Sequence, residues 1–143
     1  MEIREIGPST TGAAPYFQGT VLLDLVADGS HLDGMTASFT RFLPGARTAW
    51  HTHARGQVLH ITEGVGLVQS RGGPIHEVRA GDTIHIAPGE SHWHGATPDH
   101  FMTHLALWVG AAGLPDGVPE TSWAEPVGHD EYTGAPRTRR SCG

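Results

Sequence analysis

Twenty glycines and ten prolines cut this 143-residue chain into short pieces. Before about residue 120, no piece keeps an apolar i, i+3, i+4 spacing long enough for a helix. Short branched or aromatic runs between turn residues are instead the signature of an all-β sandwich or barrel. About ten strands are expected, at residues 2–6, 20–26, 35–43, 50–53, 57–63, 64–69, 75–78, 83–86, 92–96 and 101–109. Their even spacing fits a double-sheet jelly roll better than an open meander. Helix is expected only late, as short turns at 121–125 and 129–132. The length suits one domain, here 1–132, followed by a flexible tail over 133–143.

Charge narrows the function. Acidic residues outnumber basic ones 15 to 9, for a formal net charge of −6. A nucleic-acid binder needs a basic face to neutralise phosphates, and the basic cluster Arg137, Arg139 and Arg140 reads as a solvated terminus. No apolar run approaches the length of a membrane span. The start, Met1-Glu2-Ile3-Arg4, lacks the basic-then-apolar order of a signal peptide, so the cytoplasm is the expected location. A single cysteine, Cys142, excludes an internal disulfide framework.

Eleven histidines are the compositional anomaly. His31, His76, His100 and His129 lie in polar or turn-like contexts and read as surface residues. His60 and His85 have no evident role, and His60 has the opposite parity to Gln57. The others gather in two segments. His51 and His53 share one face if their segment is a strand, because side chains alternate with a period of two. A turn at Ala54-Arg55-Gly56 lets Gln57 open the next strand facing the same interior. His92 follows a second turn, Pro88-Gly89. Three imidazoles and one amide converging from two hairpins form a divalent-metal site of the kind neutral nitrogen and oxygen donors build. Gln57 either ligates directly or hydrogen-bonds a water on the ion.

Parity extends the site. His94 shares the face of His92 and reads either as a general acid or base or as a buried histidine bonded to a carbonyl. His104, Ala106 and Trp108 share a face of the last long strand. Small Ala106 beside large Trp108 leaves room for a pocket with an aromatic wall, unless Trp108 is simply core. Ser38 and Thr40 face one way on their strand, Phe39 and Arg41 the other. Arg47 is expected at the pocket mouth.

The run Gly45-x5-His51-x-His53-x3-Gln57-x6-Gly64 resembles the first motif of the cupin family, and Gly81-x6-Pro88-Gly89-x2-His92 resembles the second. The family carries glutamate where Gln57 stands, and its second-motif proline falls where Ala87 stands here. More narrowly, Pro44 to His53, Gln57, Pro88-Gly89-Glu90-x-His92-Trp93-His94-Gly95-Ala96, Met102 to Ala106, Trp123 and Asp130-Glu131-x-Tyr132 are similar to the small bacterial manganese-dependent cupin hydroxynitrile lyases. The resemblance implies an RmlC-like double-stranded β-helix with a short C-terminal helical segment. It implies a homodimer or homotetramer with one divalent ion per subunit, manganese first and iron, nickel or zinc as alternatives. The implied activity is reversible cleavage of aromatic (R)-cyanohydrins to aldehyde and hydrogen cyanide. Metal ligands would be His51, His53, Gln57 and His92. Thr48, His94 and His104 would stand beside the ion, with Ser38, Thr40 and Trp108 shaping the pocket.

Glutamine has a physical consequence if it ligates. Three imidazoles and an amide leave the dication's charge uncancelled, which strengthens it as a Lewis acid and makes its oxidation harder. That favours non-redox lyase or isomerase chemistry on a small molecule. The competing readings are a metal-dependent cupin dioxygenase or isomerase acting on a small oxygenated substrate, and a non-catalytic binding module.

Overall fold

The structure, a computed structural model, describes residues 1–134 and 137–139. Among them the regular secondary structure is almost wholly β, as expected from the turn-rich sequence. The strands are β1 (Thr10–Thr11), β2 (Phe17–Gln18), β3 (Val21–Asp28), β4 (Met35–Phe42), β5 (Arg47–Thr48), β6 (His51–His53) and β7 (Gln57–Ser70). They continue with β8 (Ile75–Arg79), β9 (Thr83–Ile86), β10 (His92–Ala96), β11 (Met102–Val109) and β12 (Thr121–Trp123). One helix, α1 (His129–Gly134), precedes β13 (Arg137–Arg139). Strand pairing is antiparallel except for β13 on β8.

The sheet curls into a barrel because one strand serves both of its sides. The first half of β7 pairs with β11 and β9, through Gln57↔Trp108 and Gln57↔Ile86. Its second half pairs with β8 and β10, through Val65↔Arg79 and His94↔Val68. Gly64 marks the crossing. Its φ is +77°, and a Cβ placed there would lie 1.9 Å from the Phe101 carbonyl oxygen, so only glycine fits. The glycine expected to separate two strands therefore bends a single one. Close to it the β7–β11 register shifts by one residue, with Thr103 opposite Glu63 and His104 opposite Ile61, so that Thr62 of β7 is the extra residue.

Three apolar clusters hold the barrel. Val21, Phe42, Ile61, Ala96 and Met102 fill one end, and Leu59, Ile86 and Ala106 pack with half-buried Trp108. Trp50, Leu67, Ile75, Trp93, Val127 and Tyr132 seat the C-terminal segment against the outside of the β10 side. Fully burying each large side chain is worth about 1.5–3 kcal/mol. The Tyr132 hydroxyl donates to the Ala96 carbonyl at 2.7 Å, and the Trp50 indole donates to Glu131 at 3.2 Å.

Other expectations are corrected as well. Residues 2–6 form no strand; Thr10–Thr11 takes the β3 edge instead, and Ile3 lies exposed without a partner strand. Residues 121–123 are a strand on β6 rather than a helical turn, because their backbone groups complete the ladder beside His51 and His53. Arg47 does not sit at the cavity mouth. Its guanidinium stacks 4.3 Å over the Tyr132 ring and donates to the Val127 carbonyl at 2.8 Å. Of the segment expected as a tail, Thr133 and Gly134 close α1 and Arg137–Arg139 forms β13. Arg140 and Cys142 lie outside the described residues.

Candidate metal centre

The alternation read from the His-x-His pair operates as strand geometry requires. β6 and β10 lie antiparallel with His51 opposite His92, so all three imidazoles point into the barrel. Their ring nitrogens come within 4.8 Å of one another, close enough to hold one ion, and all three residues are buried.

Each of these rings is oriented by its Nδ1. His51 Nδ1 donates to the Ala49 carbonyl and His92 Nδ1 to the Glu90 carbonyl, both at 2.9 Å. His53 Nδ1 donates to Glu120 Oε1 at 2.6 Å. Carbonyl and carboxylate oxygens only accept, so in the neutral rings Nε2 carries the lone pair. His53 Nε2 is buried with no hydrogen-bond partner among the described residues. Gln57 Oε1 stands 3.3 Å from His92 Nε2, beside the three clustered nitrogens. Buried, convergent, neutral lone pairs of this kind suit a borderline divalent ion.

Burial disfavours the charged forms of His51, His92, His94 and His104. Desolvation and the neighbouring His92 hold His51 well below the ordinary histidine value. Desolvation lowers His92 to about 4. Loss of water, then the closeness of His104, lowers His94 strongly, and burial brings His104 to about 4. Neutral imidazole is the form that can ligate or accept a proton.

The donor set opens on a cavity of about 190 Å³. Ser38, Thr40, Thr48, His94, His104, Ala106 and Trp108 all line it, together with His51, His53 and Gln57. His104 Nε2 lies 3.1 Å from His94 Nδ1, while His94 Nε2 and His104 Nδ1 are buried without hydrogen-bond partners among the described residues. The Thr48 hydroxyl oxygen accepts the His94 backbone N–H at 3.2 Å, which leaves its own hydrogen free for the cavity. Ser38 instead turns its hydroxyl to the Asp24 carbonyl at 3.2 Å. Among the other histidines, His31, His60, His76, His85, His100 and His129 are exposed. Arg41 also points outward, donating to Thr103 at 3.2 Å and pairing with Glu63 at 3.4 Å.

Sequence reasoning missed Phe17, Leu23, Glu120 and Thr121 in the cavity wall and gave Trp123 no place there. The Trp123 ring lies 4.7 Å from that of His51 and stacks on Tyr16 at 4.8 Å. A three-residue strand has no periodicity to read, and Glu120 precedes it in a Gly/Pro-rich connector. No local signal pointed to either.

Relatives agree with this architecture. A profile of the cupin domain matches residues 38–110. An (R)-mandelonitrile lyase of Granulicella tundricola is 40% identical over 134 residues, covering 92% of this chain and 98% of that one. The crystal structure of a cupin-like protein from Thermotoga maritima superposes with a TM-score of 0.80 at 33% identity, covering 94% and 97% of the two chains. The polyketide cyclase RemF of Streptomyces resistomycificus shares the fold alone, with a TM-score of 0.68 at 18% identity over 92% and 90% of the chains. Buried histidines from two hairpins, a barrel closed through Gly64 and these likenesses lead to one assignment: the chain belongs to the cupin family.

Proposed function

We propose that this cupin is a metal-dependent lyase that cleaves aromatic (R)-cyanohydrins to an aldehyde and hydrogen cyanide. The observation that carries the reading is the His94–His104 pair, buried, bonded at 3.1 Å and lining the same cavity as His51 and His53 of the donor set. Identity to a mandelonitrile lyase along nearly the whole chain supports it. His51, His53, His92 and Gln57 would hold the ion, with manganese the proposed metal. When bound, it supplies Lewis acidity towards the substrate hydroxyl.

The protein's own groups account for the proton. One nitrogen of the His94–His104 bond donates and the other accepts, so one proton position decides which outer nitrogen is bare. With His94 Nδ1 donating, His94 Nε2 is the base and takes the hydroxyl proton. The C–C bond to the nitrile then breaks, its electron pair leaves with cyanide, and the carbonyl forms. The histidine pair returns the proton to cyanide, so no net proton is consumed. Thr48 presents a hydroxyl hydrogen to the departing group or the nascent carbonyl. Trp108, Trp123, Phe17 and Leu23 give the cavity an apolar side, and among the described residues no lysine or arginine lines it. Such a wall suits a neutral aromatic substrate better than a carboxylate.

A homo-oligomer acting on a small molecule in the cytoplasm, without nucleic acid or membrane, completes the proposal. Exposed Leu25 and Val26 on the β3 edge support self-association. No described helix is long and apolar enough to cross a membrane. The test is release of benzaldehyde from (R)-mandelonitrile by protein whose manganese content has been measured. Turnover with bound metal is the expected result; metal-loaded protein no faster than buffer would overturn the lyase reading.

A further inference from the structure

The donor histidines differ in what holds them. His51 and His92 each give Nδ1–H to a neutral backbone carbonyl two residues earlier, whereas His53 gives its proton to a carboxylate, Glu120. Among the described residues Glu120 is the one charged side chain in the cavity wall, and it is only 15% exposed. It is also firmly placed. Its backbone carbonyl accepts the Ala54 N–H at 2.8 Å, Thr121 pairs with His53 across β12 and β6, and the Thr121 hydroxyl donates to Glu120 Oε2. The other nearby acid, Glu90, is occupied elsewhere, accepting the Ala87 N–H at 2.8 Å and the Ser70 hydroxyl.

Gln57 leaves the donor set with no negative charge, and an isolated dication in a buried site is costly. We infer that Glu120 is a positioning residue that supplies the missing charge at one remove, through His53, so that the ion is balanced without a carboxylate among its ligands. The arrangement separates two tasks that a glutamate ligand would combine. The amide at Gln57 keeps the inner donor set neutral. The carboxylate at Glu120 fixes the His53 tautomer and makes its Nε2 more electron-rich.

The inference rests on the metal reading above, and its test separates the two. Mn²⁺ affinity is measured by competition with a chelator for wild type, Glu120→Gln, Glu120→Ala and the double variant Gln57→Glu/Glu120→Gln. Histidine ¹⁵N shifts of the metal-free proteins report the His53 tautomer. An amide oxygen at 120 can still accept the Nδ1–H, so Glu120→Gln should keep the tautomer yet bind roughly 10–100-fold more weakly. Glu120→Ala should lose both, and the double variant should regain most of the affinity. Glu120→Gln binding within twofold of wild type would overturn the charge role while leaving the metal site intact. A double variant as weak as Glu120→Gln would also overturn it. Wild type that takes up no ion would remove the metal reading itself, and the charge role with it.

Discussion

His104 Nε2 stands 3.1 Å from His94 Nδ1, and each ring's other nitrogen is buried with no hydrogen-bond partner among the described residues. Among the described residues no carbonyl or carboxylate of another residue bonds either ring, in contrast to His51, His53 and His92. Replacing either histidine by alanine should therefore lower kcat for cyanohydrin cleavage by roughly 10²–10⁴-fold, the usual worth of a general acid or base. Metal content, read by elemental analysis, should stay unchanged. Full activity in both variants would rule out the proton transfer proposed.

Acid should unfold the metal-free protein early. Unfolded histidine titrates near 6.5, whereas burial holds His92 and His104 at about 4 and lowers His51 and His94 in the same direction. Between those values the unfolded chain binds protons that the folded chain refuses. Stability is full above about pH 6.5, falls as the pH drops towards 4, and loses about 1.4 kcal/mol per pH unit for each such histidine. Urea melts at pH 7.5 and pH 5 should show a lower midpoint at pH 5. Equal midpoints would contradict burial of neutral rings.

Metal binding should register as stability. An ion that binds only the folded chain adds about 2.7 kcal/mol when present at a hundred times its Kd. Chelator-treated wild type should therefore melt higher once Mn²⁺ is restored. His92→Ala should show no such rise, since it removes one of the three clustered nitrogens.

Two motif glycines should answer differently to alanine. Both have positive φ, but a Cβ at Gly45 meets nothing within 4 Å, whereas at Gly64 it would strike the Phe101 carbonyl. Gly45→Ala should cost about 1–2 kcal/mol, the left-handed penalty alone. Gly64→Ala must also displace the start of β11, and it should yield insoluble or far less stable protein. Equal melting temperatures for the two variants would refute the crossing role of Gly64.

The inner faces of the long strands were legible because alternation survives in eight-residue runs. Ser38 and Thr40 face inward with Arg41 outward, and His104, Ala106 and Trp108 share the cavity as their parity requires. The His-x-His pair was legible for the same reason. Glu120, Thr121 and Trp123 were not, since a short strand held by pairing to a distant partner carries no pattern of its own. The Thr-Ser start of that segment resembled a helix cap, yet the open edge beside His53 took it as a strand instead. The edge strand expected at residues 2–6 failed because local alternation says nothing about whether a partner edge is free.

The pairing of β12 with β6 sets an order of events. While the chain is being made, the segment bearing His51 and His53 emerges some seventy residues before the one that braces it. A nascent chain stopped near residue 115 already contains every imidazole of the cluster, yet it lacks the acid that steadies one of them and the indole beside another. Full affinity for the proposed ion would then wait until residues 120–123 have been made.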